Sequence, residues 1–179
     1  PDATPTPTPR APITGFHVMC KPIGPICNLD CTYCYYLEKE DLYPDERRWR
    51  MPDDELESYV RNYIASQPGV GEIEFAWQGG EPALMGRAFF ERALALQERH
   101  RPPGVGIRNA LQTNGILLDD EFCAFLARAG FLVGLSCDGP ADLHDANRVD
   151  KGGQGSHHRV VAAADRLRRH NVDFNILCT

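Results

Sequence analysis

The stretch Cys27-Asn28-Leu29-Asp30-Cys31-Thr32-Tyr33-Cys34 decides how the rest of the chain is read. Its three cysteines stand at the spacing C-x3-C-x2-C, in a loop expected just after a first strand over Gly15–Cys20. Thiolates this close in sequence can converge on one soft metal centre. Three of them leave a structural zinc one ligand short of its usual four. On a cubic [4Fe–4S] cluster, three thiolates leave one iron open to something that is not protein. An open iron is what a cluster needs in order to bind a substrate rather than only carry electrons. No histidine follows the cysteines closely, and His17 is the nearest before them. From spacing alone an iron–sulfur site leads, with zinc and incidental buried thiols as the alternatives.

Composition narrows the class. With 179 residues, a single domain is the prior. Hydrophobic residues at 42% and charged residues at 25% are ordinary for a soluble globular chain. No apolar run is long enough to span a membrane, and no apolar secretory segment opens the chain, so disulfides are not indicated for its seven cysteines. A formal charge of -6 argues against a nucleic-acid backbone as partner.

Outward from the cysteines, strands and helices alternate. Residues 1–12 form a Pro/Thr tail expected to be disordered, and 13–179 the folded domain. His17 and Cys20 read as strand residues rather than ligands. Glu38 to Asp54, with Pro44, Arg47, Arg48 and Arg50, reads as a surface connection with room for a short helix. Leu56, Tyr59, Val60, Tyr63 and Ile64 share one helical face after Pro52 and its acids, with Gly69 and Gly71 as the stop. Ile73–Trp77, Val105–Leu111, Phe131–Ser136 and Asp173–Cys178 read as strands, and Ala88–His100 and Asp119–Ala129 as helices. Ser156 is expected to cap a last helix whose inner face is Val160, Val161, Ala164 and Leu167. Cys123 reads as helix core, and Cys137 as a small hydrophobe.

This rhythm calls for a parallel sheet with helices packed on it through right-handed crossovers. The turn-rich segments 27–34, 79–82, 112–115 and 136–140 all fall where strands end, the edge at which parallel folds place their ligands.

The cysteine triplet, with aromatic Tyr33 directly before its last member, resembles the signature of the radical S-adenosylmethionine (SAM) superfamily. The longer string Lys21–Lys39, followed by Gln78-Gly79-Gly80-Glu81-Pro82, Gln112-Thr113-Asn114-Gly115 and Ser136-Cys137-Asp138-Gly139-Pro140 with His144, Asp145 and Arg148 behind it, is similar to the anaerobic sulfatase-maturating enzymes. The likeness runs from about Phe16 to the last residue. It implies an α/β fold, a partial (β/α)6 barrel truncated after about five strands. It implies a [4Fe–4S] cluster on Cys27, Cys31 and Cys34, and SAM held by Tyr33, Gly79, Gly80, Glu81, Asn114, Ser136 and Arg159. Gln78, Asp138, His144, Asp145 and Arg148 are expected to serve structure more than contact.

The implied reaction is oxidation of a cysteine or serine in a sulfatase segment to formylglycine, with cleavage of SAM to methionine and 5′-deoxyadenosine. The family's further clusters and catalytic aspartate belong to a C-terminal region expected to lie beyond this chain, so no catalytic residue is assigned and turnover by this stretch alone is not expected. Partners implied are a sulfatase or other peptide and a flavodoxin- or ferredoxin-type electron donor, in the cytoplasm, with no nucleic acid and no membrane. The alternatives are another peptide-modifying radical SAM enzyme and a zinc-binding α/β module.

Overall fold

The structure is a computed structural model and describes residues 15–42 and 49–179. The Pro/Thr tail, and Pro44, Arg47 and Arg48 of the expected surface connection, lie outside the described residues. Among the described residues, five strands form one sheet in the order β1-β2-β3-β4-β5, and every neighbouring pair is parallel. They are β1 (Met19–Cys20), β2 (Glu72–Trp77), β3 (Gly106–Thr113), β4 (Leu132–Ser136) and β5 (Asp173–Leu177). The helices are α1 (Asp53–Ala65), α2 (Arg87–His100), α3 (Asp120–Arg128), α4 (Ala141–Asn147) and α5 (His157–Arg169), with short 3-10 turns at Glu40–Leu42 and Pro82–Met85. Sequential strand order and parallel pairing are what the alternation predicts, and they are consistent with part of the (β/α)6 barrel that the resemblance implies.

The two faces of the sheet differ because side chains alternate along a strand. Ile73, Phe75 and Trp77 of β2, Leu111 of β3, and Val133 and Leu135 of β4 are buried, in one core with Leu56, Val60 and Ile64 of α1, Phe89 and Phe90 of α2, and Phe122, Phe125 and Leu126 around α3. Edge-to-face contacts join Tyr63 to Phe75 and link Trp77, Phe89 and Phe90, and Phe75 stacks on Trp77 between them. A polar triad sits inside it. Asn109 Oδ1 accepts from Trp77 Nε1 (2.8 Å) and Gln97 Nε2 (2.9 Å), and Asn109 Nδ2 donates to Gln97 Oε1 (2.8 Å). The intervening positions Glu72, Glu74, Ala76, Arg108, Ala110, Gln112 and Gly134 carry small or polar side chains, and Arg108 pairs with Glu72.

Several boundaries differ from expectation. The first strand is only Met19–Cys20. His17 precedes it with an exposed ring, satisfied by Glu74 at 3.3 Å, while Cys20 is buried in the core. Helix α1 ends at Ala65, ahead of the glycines. β3 runs through Thr113, so Gln112 and Thr113 belong to the strand and the turn begins at Asn114. Helix α4 is an additional element between β4 and the helix after Ser156, where the sequence reading assigns none. Val161 is exposed, and α5 buries Val160, Ala163 and Leu167 instead. Ser156 sits at the start of α5 without capping it; Asp145 Oδ1 accepts from the His157 amide at 2.8 Å in its place. Asp119 does cap α3, accepting from the Phe122 amide at 2.7 Å. Among the described residues, no helix is long and apolar enough to cross a membrane.

Candidate functional site

Register brings the strand ends level. Cys20 pairs with Trp77, Trp77 with Leu111, Thr113 with Leu135, and Ser136 with Leu177. The segments after these residues therefore meet at one edge, around an open cavity of ≈ 340 Å³. Cys27, Cys31 and Cys34 line it from one side. Gln78, Gly79, Gly80 and Glu81 line it below β2, Gln112, Thr113 and Asn114 below β3, and Ser136 and Arg148 on the far side. Leu29, Tyr33, Tyr35 and Tyr36 complete the wall with apolar and aromatic surface.

The cysteine loop folds as consecutive tight turns. Amides of Gly24, Ile26, Cys34 and Leu37 donate to carbonyls three residues back, at 3.1, 3.3, 2.9 and 3.3 Å. It docks on the glycine pair after β2: the Gly80 amide donates to Gly24 O (2.9 Å) and the Glu81 amide to Ile26 O (2.8 Å). A Cβ at Gly80 would lie 2.1 Å from Ile26 O, so only glycine permits this approach. Gly79 sits at φ +120°, a conformation that also requires glycine.

The thiols are positioned by N–H donors. Leu29 N donates to Cys27 Sγ (3.4 Å), Tyr36 N to Cys34 Sγ (3.4 Å), and Asn114 Nδ2 to Cys27 Sγ (3.7 Å) while also bonding Asn28 Oδ1 (2.7 Å). Burial pushes the Cys27 thiol up to about 11, against the Leu29 amide, and nearby Glu81, Cys31 and Cys34 raise it further. Burial also raises Cys31, with Arg148 opposing. Thiols so raised are protonated at neutral pH, and a bound metal would displace their protons. All seven cysteines are free. Cys20 and Cys123 are buried in the core, and Cys137, with its Sγ on Gly139 O, and Cys178 lie outside the cavity wall.

Among the described residues, no three His, Cys, Asp or Glu side chains converge tightly enough for a single ion. Three cysteines on one cavity wall, two of them accepting N–H···S bonds, are the donor set with which a [4Fe–4S] cluster keeps one iron open.

Glu81 is wholly interior. Its Oε1 accepts from the Ala83 amide (2.9 Å) and Thr113 Oγ1 (2.7 Å), and its Oε2 from the Asn114 amide (2.8 Å). Burial raises its pKa, and these three donors oppose the rise. The carboxylate thus ties the Gly-Gly turn to the end of β3. What the Gly79-Gly80-Glu81 run leaves open to a ligand is backbone.

On the far side Asp138 and Arg148 form a bidentate pair, Nε to Oδ2 at 2.7 Å and Nη2 to Oδ1 at 3.0 Å, with side chains only 7% and 10% exposed. The Tyr33 hydroxyl also donates to Asp138, and the Arg148 guanidinium lies 5.4 Å from the Tyr33 ring centroid. Burial pushes the Asp138 carboxyl up, but the Arg148 and Tyr33 hydrogen bonds outweigh it and hold the group below its ordinary range. Behind them, His144 is fully buried. Its Nδ1 accepts from the Asp138 amide (3.2 Å), which leaves Nε2–H for Ser156 Oγ (3.0 Å), and that hydroxyl donates to Arg148 O (2.7 Å).

Of the residues expected at the site, Cys27, Cys31, Cys34, Tyr33, Gly79, Gly80, Glu81, Asn114 and Ser136 meet at the cavity. Arg159 does not line it; its guanidinium pairs with Asp150 at 2.8 Å. Arg148, expected to serve structure, both braces Asp138 and faces the cavity, as does Gln78. Asp145, expected to serve structure, does so by capping α5.

The family model described as the Radical SAM superfamily matches residues 22–179. The serine-type anaerobic sulfatase-maturating enzyme of Klebsiella aerogenes is 48% identical over 170 residues, 94% of this chain and 40% of the relative. The cysteine-type enzyme of Clostridium perfringens (strain 13 / Type A) is 42% identical over 161 residues, 90% of this chain and 43% of the relative. A solved structure described as native anSMEcpe with bound AdoMet and Kp18Cys peptide superposes with a TM-score of 0.81 at 41% identity, covering 90% of this chain and 42% of that one. The chain therefore spans about 40% of the length of the curated relatives it matches.

Proposed function

The chain belongs to the radical SAM superfamily, as a counterpart of the N-terminal radical SAM domain of the anaerobic sulfatase-maturating enzymes, and from that premise we propose that it holds a [4Fe–4S] cluster and SAM for oxidation of a cysteine or serine in a sulfatase peptide to formylglycine. The observation that carries this reading is the convergence of Cys27, Cys31 and Cys34 with Gly79, Gly80, Asn114, Ser136 and Arg148 on one cavity at the C-terminal edge of a parallel sheet. When bound, the cluster and SAM together supply the low-potential electron and the hydrogen-abstracting power that oxidising an unactivated C–H bond requires, and SAM leaves as methionine and 5′-deoxyadenosine.

The chain's own residues bind and orient. Cys27, Cys31 and Cys34 are the ligands, and the Leu29, Tyr36 and Asn114 N–H groups stabilise negative charge on two of the sulfurs. Gly79 and Gly80 let an amino group approach main-chain carbonyls without meeting a side chain. The Ser136 hydroxyl and the Arg148 guanidinium suit a carboxylate, and Arg148 takes the place first assigned to Arg159. Leu29, Tyr33 and Tyr36 supply the apolar wall that keeps water from the reacting centre. A low-potential cluster implies a reducing compartment and a donor of flavodoxin or ferredoxin type.

Anaerobic reconstitution tests the reading. About four irons and matching sulfide per chain are expected, with an EPR spectrum of the reduced protein that changes when SAM is added. Cys27→Ser, Cys31→Ser and Cys34→Ser should each lose the cluster while Cys123→Ala keeps it. One zinc and no iron, or a cluster indifferent to SAM in the full-length protein, would sink the proposal.

A further inference from the structure

The cysteine loop is strapped from outside by a segment more than a hundred residues away. Between the first and third cysteines, the Asp30 amide donates to Val149 O (2.8 Å) and the Thr32 amide to Asn147 O (2.9 Å). Leu29 and Asp150 form an antiparallel bridge. The Thr32 hydroxyl bonds Asn147 Oδ1 at 2.8 Å, and Lys151 pairs with Asp30. This Asn147–Lys151 strap is itself anchored on all sides. Arg148 grips Asp138, Ser156 Oγ holds Arg148 O and is held by His144, and Asp150 takes Arg159. His144 and Ser156 are both fully buried, have no place in the cavity wall, and have every side-chain bond directed to this strap or its anchors.

We propose that Asn147–Lys151 is a splint that fixes the Leu29–Thr32 backbone, and with it the three thiols, before any metal arrives, with His144 and Ser156 as its positioning residues. The inference rests on the cluster reading above but deepens it: the site is preorganised by the α4–α5 connection rather than shaped by its metal. Consecutive tight turns alone leave this stretch dependent on partners elsewhere: the Asp30 amide, inside C-x3-C, and the Thr32 amide, inside C-x2-C, both donate to strap carbonyls. Ordering these residues in advance removes an entropic cost that metal binding would otherwise meet. Because Arg148 belongs to the strap and faces the cavity, the element that sets the thiols also places a cation for the cofactor's carboxylate.

The test is residue-resolved hydrogen exchange on the metal-free chain, with iron loss to a chelator measured after reconstitution. The Asp30 and Thr32 amides should be protected without metal. Ser156→Ala should speed their exchange about tenfold, the effect of one buried hydrogen bond, with the Leu111 amide of β3 unchanged, and should speed iron loss in step. Ser156→Thr, which keeps the hydroxyl, should restore both. If Ser156→Ala does not fold, Asn147→Ala removes only the partly exposed bond to Thr32, and Asn147→Asp, which keeps the acceptor, should rescue it. Asp30 and Thr32 amides that become protected only after the cluster is loaded would overturn the splint while leaving the cluster reading intact. Equal acceleration at Leu111 would reduce Ser156 to a general stabiliser and overturn it too. Protected amides in a chain that never takes up iron would instead refute the cluster reading.

Discussion

Gly80→Ala offers the sharpest quantitative test of how the cysteine loop is held. The new methyl carbon would lie 2.1 Å from Ile26 O, and 2.5 Å from both Ile26 C and Pro25 O. All three are backbone atoms, so no rotamer change relieves the clash. The loop must lift away, and the bonds from Gly80 N to Gly24 O and from Glu81 N to Ile26 O stretch or break. Overpacking costs about 1–3 kcal/mol, and two backbone hydrogen bonds add roughly 1 kcal/mol each. The expected loss is then about 3–5 kcal/mol, a large share of a typical total of about 5–15 kcal/mol. The assay is urea denaturation of the metal-free chain, where with a slope of about 2 kcal/mol/M the midpoint should fall by about 1.5–2.5 M. Gly71→Ala is the control, because no atom lies within 4 Å of its added carbon. It should be neutral, or stabilising by up to about 1 kcal/mol. The displaced residues lead directly into Cys27, so iron uptake should fall as well. A Gly80→Ala midpoint within about 0.5 kcal/mol of the Gly71→Ala protein would refute the reasoning.

Three further outcomes follow from particular bonds. Asn109→Leu strands the Trp77 N–H and the Gln97 amide inside the core, so it should cost about 2–5 kcal/mol by thermal or urea unfolding; adding Gln97→Met should recover part of that, and a wild-type midpoint for the single variant would contradict it. His144 is held below its ordinary 6.5 by burial first and then by the Arg148 charge, with Asp138 and Asp145 opposing. A histidine depressed in this way contributes stability that is full above its unfolded pKa, about 6.5, and lost as pH falls through the folded value. The stability advantage of wild type over His144→Gln should therefore narrow below about pH 6.5, and a gap constant down to about pH 5 would argue against it. Asn114→Ala removes the side-chain N–H donor to Cys27 Sγ, so the reconstituted cluster should reduce at a more negative potential in an EPR-monitored titration; an unmoved midpoint would show that the bond does not reach the cluster.

The parts of this architecture that were legible in the sequence are those written in spacing and in glycine. The cysteine triplet, Gly79-Gly80 and the strand–helix alternation need only local chemistry to be read. What was not legible depends on tertiary partners. Helix α4 has no apolar period, since only His144 of its residues is buried, and its neighbours secure it. The resemblance points to Arg159 as the cation and to Arg148 as a structural residue, and only the fold shows that Asp150 engages Arg159 while Arg148 faces the cavity. Glu81 is a SAM contact only by the resemblance, and the fold adds that its carboxylate is engaged by Ala83, Thr113 and Asn114. The start of α5 misled for a related reason: Ser156 is the expected type of cap, but a buried histidine and a carbonyl had claimed its hydroxyl.

The strap also sets a timetable. Strand order in space equals strand order in sequence, so the sheet can grow in the direction of synthesis. The cysteine loop is the exception: Thr32 waits for Asn147, 115 residues later. At about 5–20 residues per second on the ribosome, its thiols stay unfastened for roughly 6–23 s after they are made. A cell building this protein therefore has an interval in which three thiols lack the strap that later fastens them, and exposure to oxidant during translation should harm the yield of loadable protein more than the same exposure afterwards.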